Sequence, residues 1–144
     1  MIRILCVDDE PYILTTLQRF FRKDNYEILL ATSAKQGLSL LKEQGPVHIV
    51  LSDYRMPGLN GVEFLLQVHQ LWPRTVGILL SGYADLSVVT SAMELDFIFR
   101  HLPKPWSRAE LRAAINDALA KDCDRLKSAD EARATVPDKL RPRN

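Results

Sequence analysis

Five short apolar runs, each followed by a stretch with helical periodicity, recur along this chain of 144 residues, and that alternation leaves few folds open. Ile2–Val7 reads as a buried strand, and Ile13, Leu14, Leu17, Phe20 and Phe21 then recur at helical spacing behind Pro11, which a first helical turn accepts. Tyr26–Ala31 is a second strand, and Ser33-Ala34-Lys35-Gln36 has the form of a capping box opening a helix through Leu38 and Leu41 that Gly45-Pro46 ends. A third strand is expected over 48–53, and a helix opened by Asn60 with Glu63 runs through Leu65, Leu66 and Val68 until Pro73. A fourth strand over 75–80 precedes a shorter helix from 85 to about 94, and a fifth strand over 97–102 precedes a helix opened by Ser107-Arg108-Ala109-Glu110. Strands that alternate with helices at this spacing, and that are apolar along their whole length, belong in a parallel sheet covered on both faces. Right-handed crossovers then favour a flavodoxin-like three-layer α/β sandwich, with five strands in the order 2-1-3-4-5 and five helices.

Length and charge narrow the class further. One domain over residues 1–121 accounts for the alternation, and 122–144 changes character, with both charge signs, few large apolar residues, and Pro137 and Pro142. That segment is expected to be an extension of the last helix, a tail, or the start of a linker. A net charge of +1 provides no bulk attraction to nucleic acid or an anionic membrane. Cys6 and Cys123 form neither a metal spacing nor a disulfide framework, and no run reaches membrane-spanning length, so a cytoplasmic protein is expected.

Polar residues close four of the strands. Asp8 and Asp9 follow the first, Asp53 ends the third, Ser81 follows the fourth and Lys104 lies just past the fifth. Open α/β sheets bind ligands at the carboxyl ends of their strands. If the first and third strands are neighbours, three carboxylates converge and raise one another's pKa, a penalty that an oxygen-seeking divalent cation removes. Mg²⁺ suits such a site, because it takes a few carboxylates and fills its remaining positions with water and phosphate oxygens. A carboxylate can also attack phosphorus to form an aspartyl phosphate, with Lys104 as a point charge for one phosphoryl oxygen and Ser81 as a hydrogen-bond donor to another. Taken singly, each residue has a plainer reading: Asp8-Asp9-Glu10 as a helix cap, Asp53 and Ser81-Gly82 as turn residues. Their joint placement carries the argument.

The chain resembles the receiver domain of two-component response regulators. The likeness rests on Ile4-Leu5-Cys6-Val7-Asp8-Asp9-Glu10, Leu51-Ser52-Asp53-Tyr54-Arg55-Met56-Pro57-Gly58-Leu59-Asn60-Gly61, Leu80-Ser81-Gly82-Tyr83-Ala84 and Lys104-Pro105-Trp106, and spans about residues 1–121. It implies that Asp53 accepts a phosphoryl group from a sensor histidine kinase or phosphotransfer protein. It further implies that Asp9, Asp53 and the backbone carbonyl of Arg55 bind Mg²⁺ directly, that Asp8 binds it through water, and that Ser81 and Lys104 hold the phosphoryl group. The Lys104–Pro105 bond is expected to be cis. Such a protein is a switch rather than an enzyme. Phosphorylation would alter the surface of the fourth helix, fifth strand and fifth helix to control a homodimer or an output partner, including an output domain following this segment.

Two positions depart from the family pattern. Ser81 stands where Thr is common, and His101 stands where the family usually carries Tyr or Phe as a rotameric switch. A histidine there makes the switch either muted or pH-sensitive, unless the ring simply faces solvent. Arg55 and Tyr83 border the phosphoryl site and would shield it or leave it open. Two other functions compete. An Asp-nucleophile phosphatase would need a second acid just beyond Asp53, where Arg55 stands; a flavin or nucleotide binder would need Gly, Ser or Thr after the first strand, where Asp8-Asp9-Glu10-Pro11 repels phosphate. Trp72, Trp106, Phe97 and Phe99 are expected to pack, and His48 and His69 lack companions for metal binding.

Overall fold

The computed structural model describes residues 1–82 and 85–135, with only the backbone of Leu86 and of 122–135. Tyr83, the side chain of Cys123 and the prolines of the tail lie outside the described residues. Five strands, β1 (Ile2–Val7), β2 (Tyr26–Ala31), β3 (Ile49–Asp53), β4 (Val76–Ser81) and β5 (Arg100–Pro103), form one all-parallel sheet in the order β2-β1-β3-β4-β5. Helices α1 (Pro11–Phe20), α2 (Ala34–Gln44), α3 (Gly61–Leu71) and α4 (Leu86–Ala92) make the crossovers, and α5 (Arg108–Thr135) follows the last strand.

Side chains alternate across a strand, so a strand buried on both faces feeds two cores. Ile4 and Cys6 of β1, Ile49 and Leu51 of β3, and Ile78 and Leu80 of β4 meet Leu14 and Leu17 of α1 and Leu111, Ala114, Ile115 and Ala118 of α5. Leu5, Val7, Val50 and Leu79 point the other way, onto Ala34 and Leu41 of α2, Phe64, Leu65 and Val68 of α3, and Val89 and Ala92 of α4. This burial on both sides makes the central strands uniformly apolar until their last residues.

Element ends carry the differences from expectation. Asn60 and Glu63 form a complete capping box on α3, and Ser107 Oγ accepts from Glu110 N at the start of α5. At α2 only half of the expected box forms. Ser33 Oγ accepts from Gln36 N, but Gln36 Oε1 reaches past Ser33 to the backbone and hydroxyl of Thr32. β5 begins at Arg100 rather than at 97. Phe97 and Ile98 pack on the α3–α4 side and Phe99 on the opposite side, with Phe99 N already bonded to Gly77 O at 2.8 Å. An apolar run under a turn has the same composition as a strand, which is why the sequence overextended β5. α4 is shorter than expected, because its last turn tightens into three-residue bonds from Glu94 N to Ser91 O and Leu95 N to Ala92 O.

One glycine fixes how closely α3 approaches the sheet. A Cβ on Gly61 would lie 2.2 Å from the carbonyl oxygen of Asp53, so only a residue without one lets the helix begin there. Gly61 N donates to Tyr54 O at 2.7 Å, which closes the loop that follows β3.

Candidate functional site

Adjacent β1 and β3 end together, and three carboxylates follow from that register. Val7 lies opposite Ser52, so Asp8, Asp9 and Asp53 leave the same edge of the sheet. One oxygen from each lies within 4.8 Å of the others. Asp8 is fully buried, Asp53 is 7% exposed and Asp9 faces solvent. The set is all hard oxygen with no nitrogen or sulfur, which matches the preference of Mg²⁺, and the exposed Asp9 leaves room for the waters that ion keeps.

Lys104 answers part of this charge. Its Nζ lies 3.0 Å from Asp8 Oδ2 and 3.1 Å from Asp53 Oδ1. The lysine is carried there by the end of β5, where Lys104 N donates to Ser81 O at 2.7 Å and the following bond to Pro105 is cis, as expected. Asp8 Oδ1 accepts from Glu10 N at 2.9 Å, and Asp53 Oδ1 also accepts from Tyr54 N at 2.9 Å. No described group donates to Asp53 Oδ2. Burial and the neighbouring charge of Asp8 push Asp53 up to about 6, against the opposing pull of Lys104. Burial works to lower the pKa of Lys104, but its hydrogen bonds and charge contacts with the two aspartates outweigh that and hold it above the ordinary lysine value.

Ser81 is the last residue of β4 and fully buried. Its Oγ is hydrogen-bonded to Nε2 of His101, which β5 places beside it, with Leu79 opposite His101 and Ser81 opposite Pro103. The imidazole is therefore turned toward Ser81 and partly buried rather than left to solvent, and burial lowers its pKa below 6.5. Two contacts escaped the sequence reading. One is this Ser81–His101 bond; the other is an ion pair from Arg55 Nε to both oxygens of Asp85, at 2.8 and 3.0 Å. The second had a faint signal: opposite charges just beyond the ends of two adjacent strands.

Residues expected to be structural behave so. Trp72 packs at the end of α3, Trp106 packs on the α5 side, His48 Nδ1 accepts from Arg3 N at 3.1 Å, and the ring of His69 lies 6.4 Å from that of Phe97.

A doubly covered parallel sheet with an acidic pocket, a lysine and a hydroxyl at its carboxyl edge defines an open α/β domain of the kind that binds ligands at its strand ends. Residues 4–116 match the response regulator receiver domain, and the chain belongs to that family. Over 116 residues it is 36% identical to the hydrogenase transcriptional regulatory protein HoxA of Cupriavidus necator, covering 81% of this chain and 24% of that one. Over 117 residues it is 29% identical to the sporulation initiation phosphotransferase F of Bacillus subtilis, covering 81% of this chain and 93% of that one. A crystal structure of a response regulator receiver domain protein from Clostridium thermocellum superposes with a TM-score of 0.78 at 32% identity, over 84% of this chain and 96% of that one. The chain thus spans about a quarter of the length of the hydrogenase regulators it matches. Receiver domains are regulatory modules of two-component signalling that generally bind Mg²⁺ at an acidic pocket. Among the described residues no helix is long and apolar enough to cross a membrane.

Proposed function

We propose that Asp53 is the phosphoacceptor of a two-component switch, supplied by a sensor histidine kinase or a phosphotransfer protein. The observation that carries this reading is the asymmetric state of Asp53. One oxygen is fixed by Lys104 and Tyr54 N, the other accepts from no described group, and the pKa of about 6 leaves the group mostly ionised at neutral pH. The free oxygen attacks phosphorus as the bond from phosphorus to the donor's imidazole nitrogen breaks, and that nitrogen leaves with the electron pair. Lys104 then neutralises one phosphoryl oxygen, having been held in place by Asp8. Asp9 and Asp53 would hold Mg²⁺ directly, together with the backbone carbonyl of Arg55, and Asp8 would hold it through water. The ion, when bound, supplies positive charge to the phosphoryl oxygens.

The relay begins at Ser81. Its hydroxyl leaves His101 Nε2 to donate to the new phosphoryl group, and the released imidazole reorients on β5. This alters the α4-β5-α5 surface and biases a homodimer or an output contact. Because burial lowers the pKa of His101, charging the imidazole takes more acid than an exposed histidine needs, and the relay becomes sensitive on the acid side. Residues 1–121 make up this switch, α5 continues to Thr135, and the segment 122–144 serves as a tail or as a linker to an output domain. The segment acts in the cytoplasm as a switch, without contacting nucleic acid or membrane itself.

Beryllofluoride with Mg²⁺, an analogue of the phosphoryl group, should bind the wild-type protein and fail to bind Asp53→Ala. Equal binding to both would remove Asp53 from its role. His101→Phe should alter beryllofluoride-dependent assembly in mildly acidic buffer while leaving beryllofluoride binding intact; unchanged assembly there would take His101 out of the relay.

A further inference from the structure

A cleft of about 430 Å³ lies at the opposite end of β3 from Asp53. It opens between residues 45–48, which lead into β3, and 72–75, which lead into β4. Pro46, Val47, Leu71, Trp72 and Pro73 make its walls mostly apolar. These walls follow from how α3 ends. Pro73 cannot continue the helix beyond Leu71, so Trp72 packs on the α2–α3 core while Leu71 stays 54% exposed. The volume falls in the range of small-molecule pockets, roughly 300–1,000 Å³.

The polar groups around the cleft are unevenly used. Backbone acceptors on its rim are already engaged. Arg3 Nη1 donates to Pro46 O at 3.2 Å, Thr75 Oγ1 to Val47 O at 2.7 Å, Val76 N to His48 O at 3.0 Å and Thr75 N to Trp72 O at 3.0 Å. The side-chain donors are the reverse. His48 lines the cleft, and its Nδ1 accepts from Arg3 N, so the ring hydrogen is on Nε2. That N–H, the indole N–H of Trp72 and the guanidinium of exposed Arg74 make no hydrogen bond or ion pair with any described residue. Neither ring nitrogen is a buried atom without a partner, so both keep accessible surface. Among the described residues no acid lines the cleft. Apolar walls with donors to offer, one of them a full positive charge, complement an apolar body that carries one negative charge. A sugar or a bare phosphate would leave the walls unused, and a cation would meet Arg74.

We propose that this cleft binds a small aromatic monocarboxylate, with its ring against Trp72 and the two prolines and its carboxylate on Arg74 and the His48 N–H. Binding is non-covalent and does not depend on Asp53 being a phosphoacceptor.

The test titrates naphthylacetate into the full chain and follows the indole N–H signals by proton–nitrogen NMR. Trp72 and Trp106 are the two tryptophans, and Trp106→Phe, which leaves the cleft intact, assigns them. The Trp72 signal should shift and saturate with a dissociation constant of about 1 mM or tighter, while that of Trp106 stays in place. Naphthylacetamide, which keeps the ring and loses the charge, should bind about fivefold more weakly, and so should naphthylacetate to Arg74→Gln, with thermal stability unchanged. Acetate alone should leave the Trp72 signal in place at the same concentrations. A Trp72 signal that ignores naphthylacetate would overturn the proposal. So would an amide that binds as tightly as the acid, or an Arg74→Gln protein that binds like wild type, since the cleft would then not recognise an anion. A Trp72 signal that moves with protein concentration alone, alongside a dimer in sedimentation velocity, would instead assign the cleft to a second copy of the chain and also overturn it.

Discussion

The two edges of the same sheet are built on opposite terms. At the amino edge, polar groups meet one another in full. His48 N donates to Arg3 O and Arg3 N to His48 Nδ1, Val76 N donates to His48 O, and Thr75 Oγ1 donates to Val47 O at 2.7 Å. The Arg3 guanidinium is shared between Glu27 and the carbonyls of Gln44 and Pro46. At the carboxyl edge, three carboxylates face one ammonium, and Asp53 is pushed up to about 6. β1, β3 and β4 run through both edges and the cores beneath them are continuous, so the contrast does not come from the fold. It comes from which residues terminate the strands. One edge completes itself; the other is stable only in part until charge arrives from outside.

Removing the lysine should break the contrast most severely. Lys104→Met leaves Asp8 fully buried beside Asp53 with no cation, and should cost about 2–4 kcal/mol in denaturant unfolding without metal. Added Mg²⁺ should return much of that stability. A variant as stable as wild type without metal would mean that the carboxyl edge carries no unmet charge.

Asp53→Asn tests the same imbalance from the other side. The carboxyl group binds its proton more tightly folded than unfolded, because its pKa rises from 3.8 to about 6. Its contribution to stability therefore falls as pH rises from about 4 to about 6, and stays low above that. Asp53→Asn removes the penalty and should gain about 1–2 kcal/mol at neutral pH in metal-free buffer, with a smaller gain near pH 4. A gain that does not change with pH would assign it to something other than ionisation.

The smallest effect belongs to the amino edge. Thr75→Val keeps the shape and leaves the carbonyl of Val47 without its donor, for a loss of about 1 kcal/mol. That loss should be the same with and without Mg²⁺, and beryllofluoride binding should not change. Coupling between Thr75→Val and metal would show that the two edges are not independent.

The sequence exposed what depends on periodicity and on strand termini. Residues such as Ile4, Leu5, Val50 and Leu79 are apolar because both sheet faces are covered, so the strands and their parallel order could be inferred, and Asp8, Asp53 and Ser81 could be placed at one edge. Contacts set by the path of loops were not legible. Arg55 and Asp85 are thirty residues apart and Ser81 and His101 twenty apart, and neither pair follows from local spacing. The same holds for Gln36, whose amide oxygen serves Thr32 instead of Ser33 because the backbone enters α2 at an angle that residue type alone does not fix. The start of β5 was misplaced because Phe97 and Ile98 are buried for a different reason than the strand that follows.

Cys6 is the next-to-last residue of β1, two residues ahead of Asp8, with no exposed surface, and burial pushes its thiol up to about 12. Sulfur chemistry runs through the thiolate, so in the folded protein this residue is closed to oxidants and alkylating reagents. Its rate of labelling becomes a clock for how often this inner strand comes apart. Because β1 also leads into the acidic pair, that clock counts the openings that would dismantle the carboxylate cluster from below.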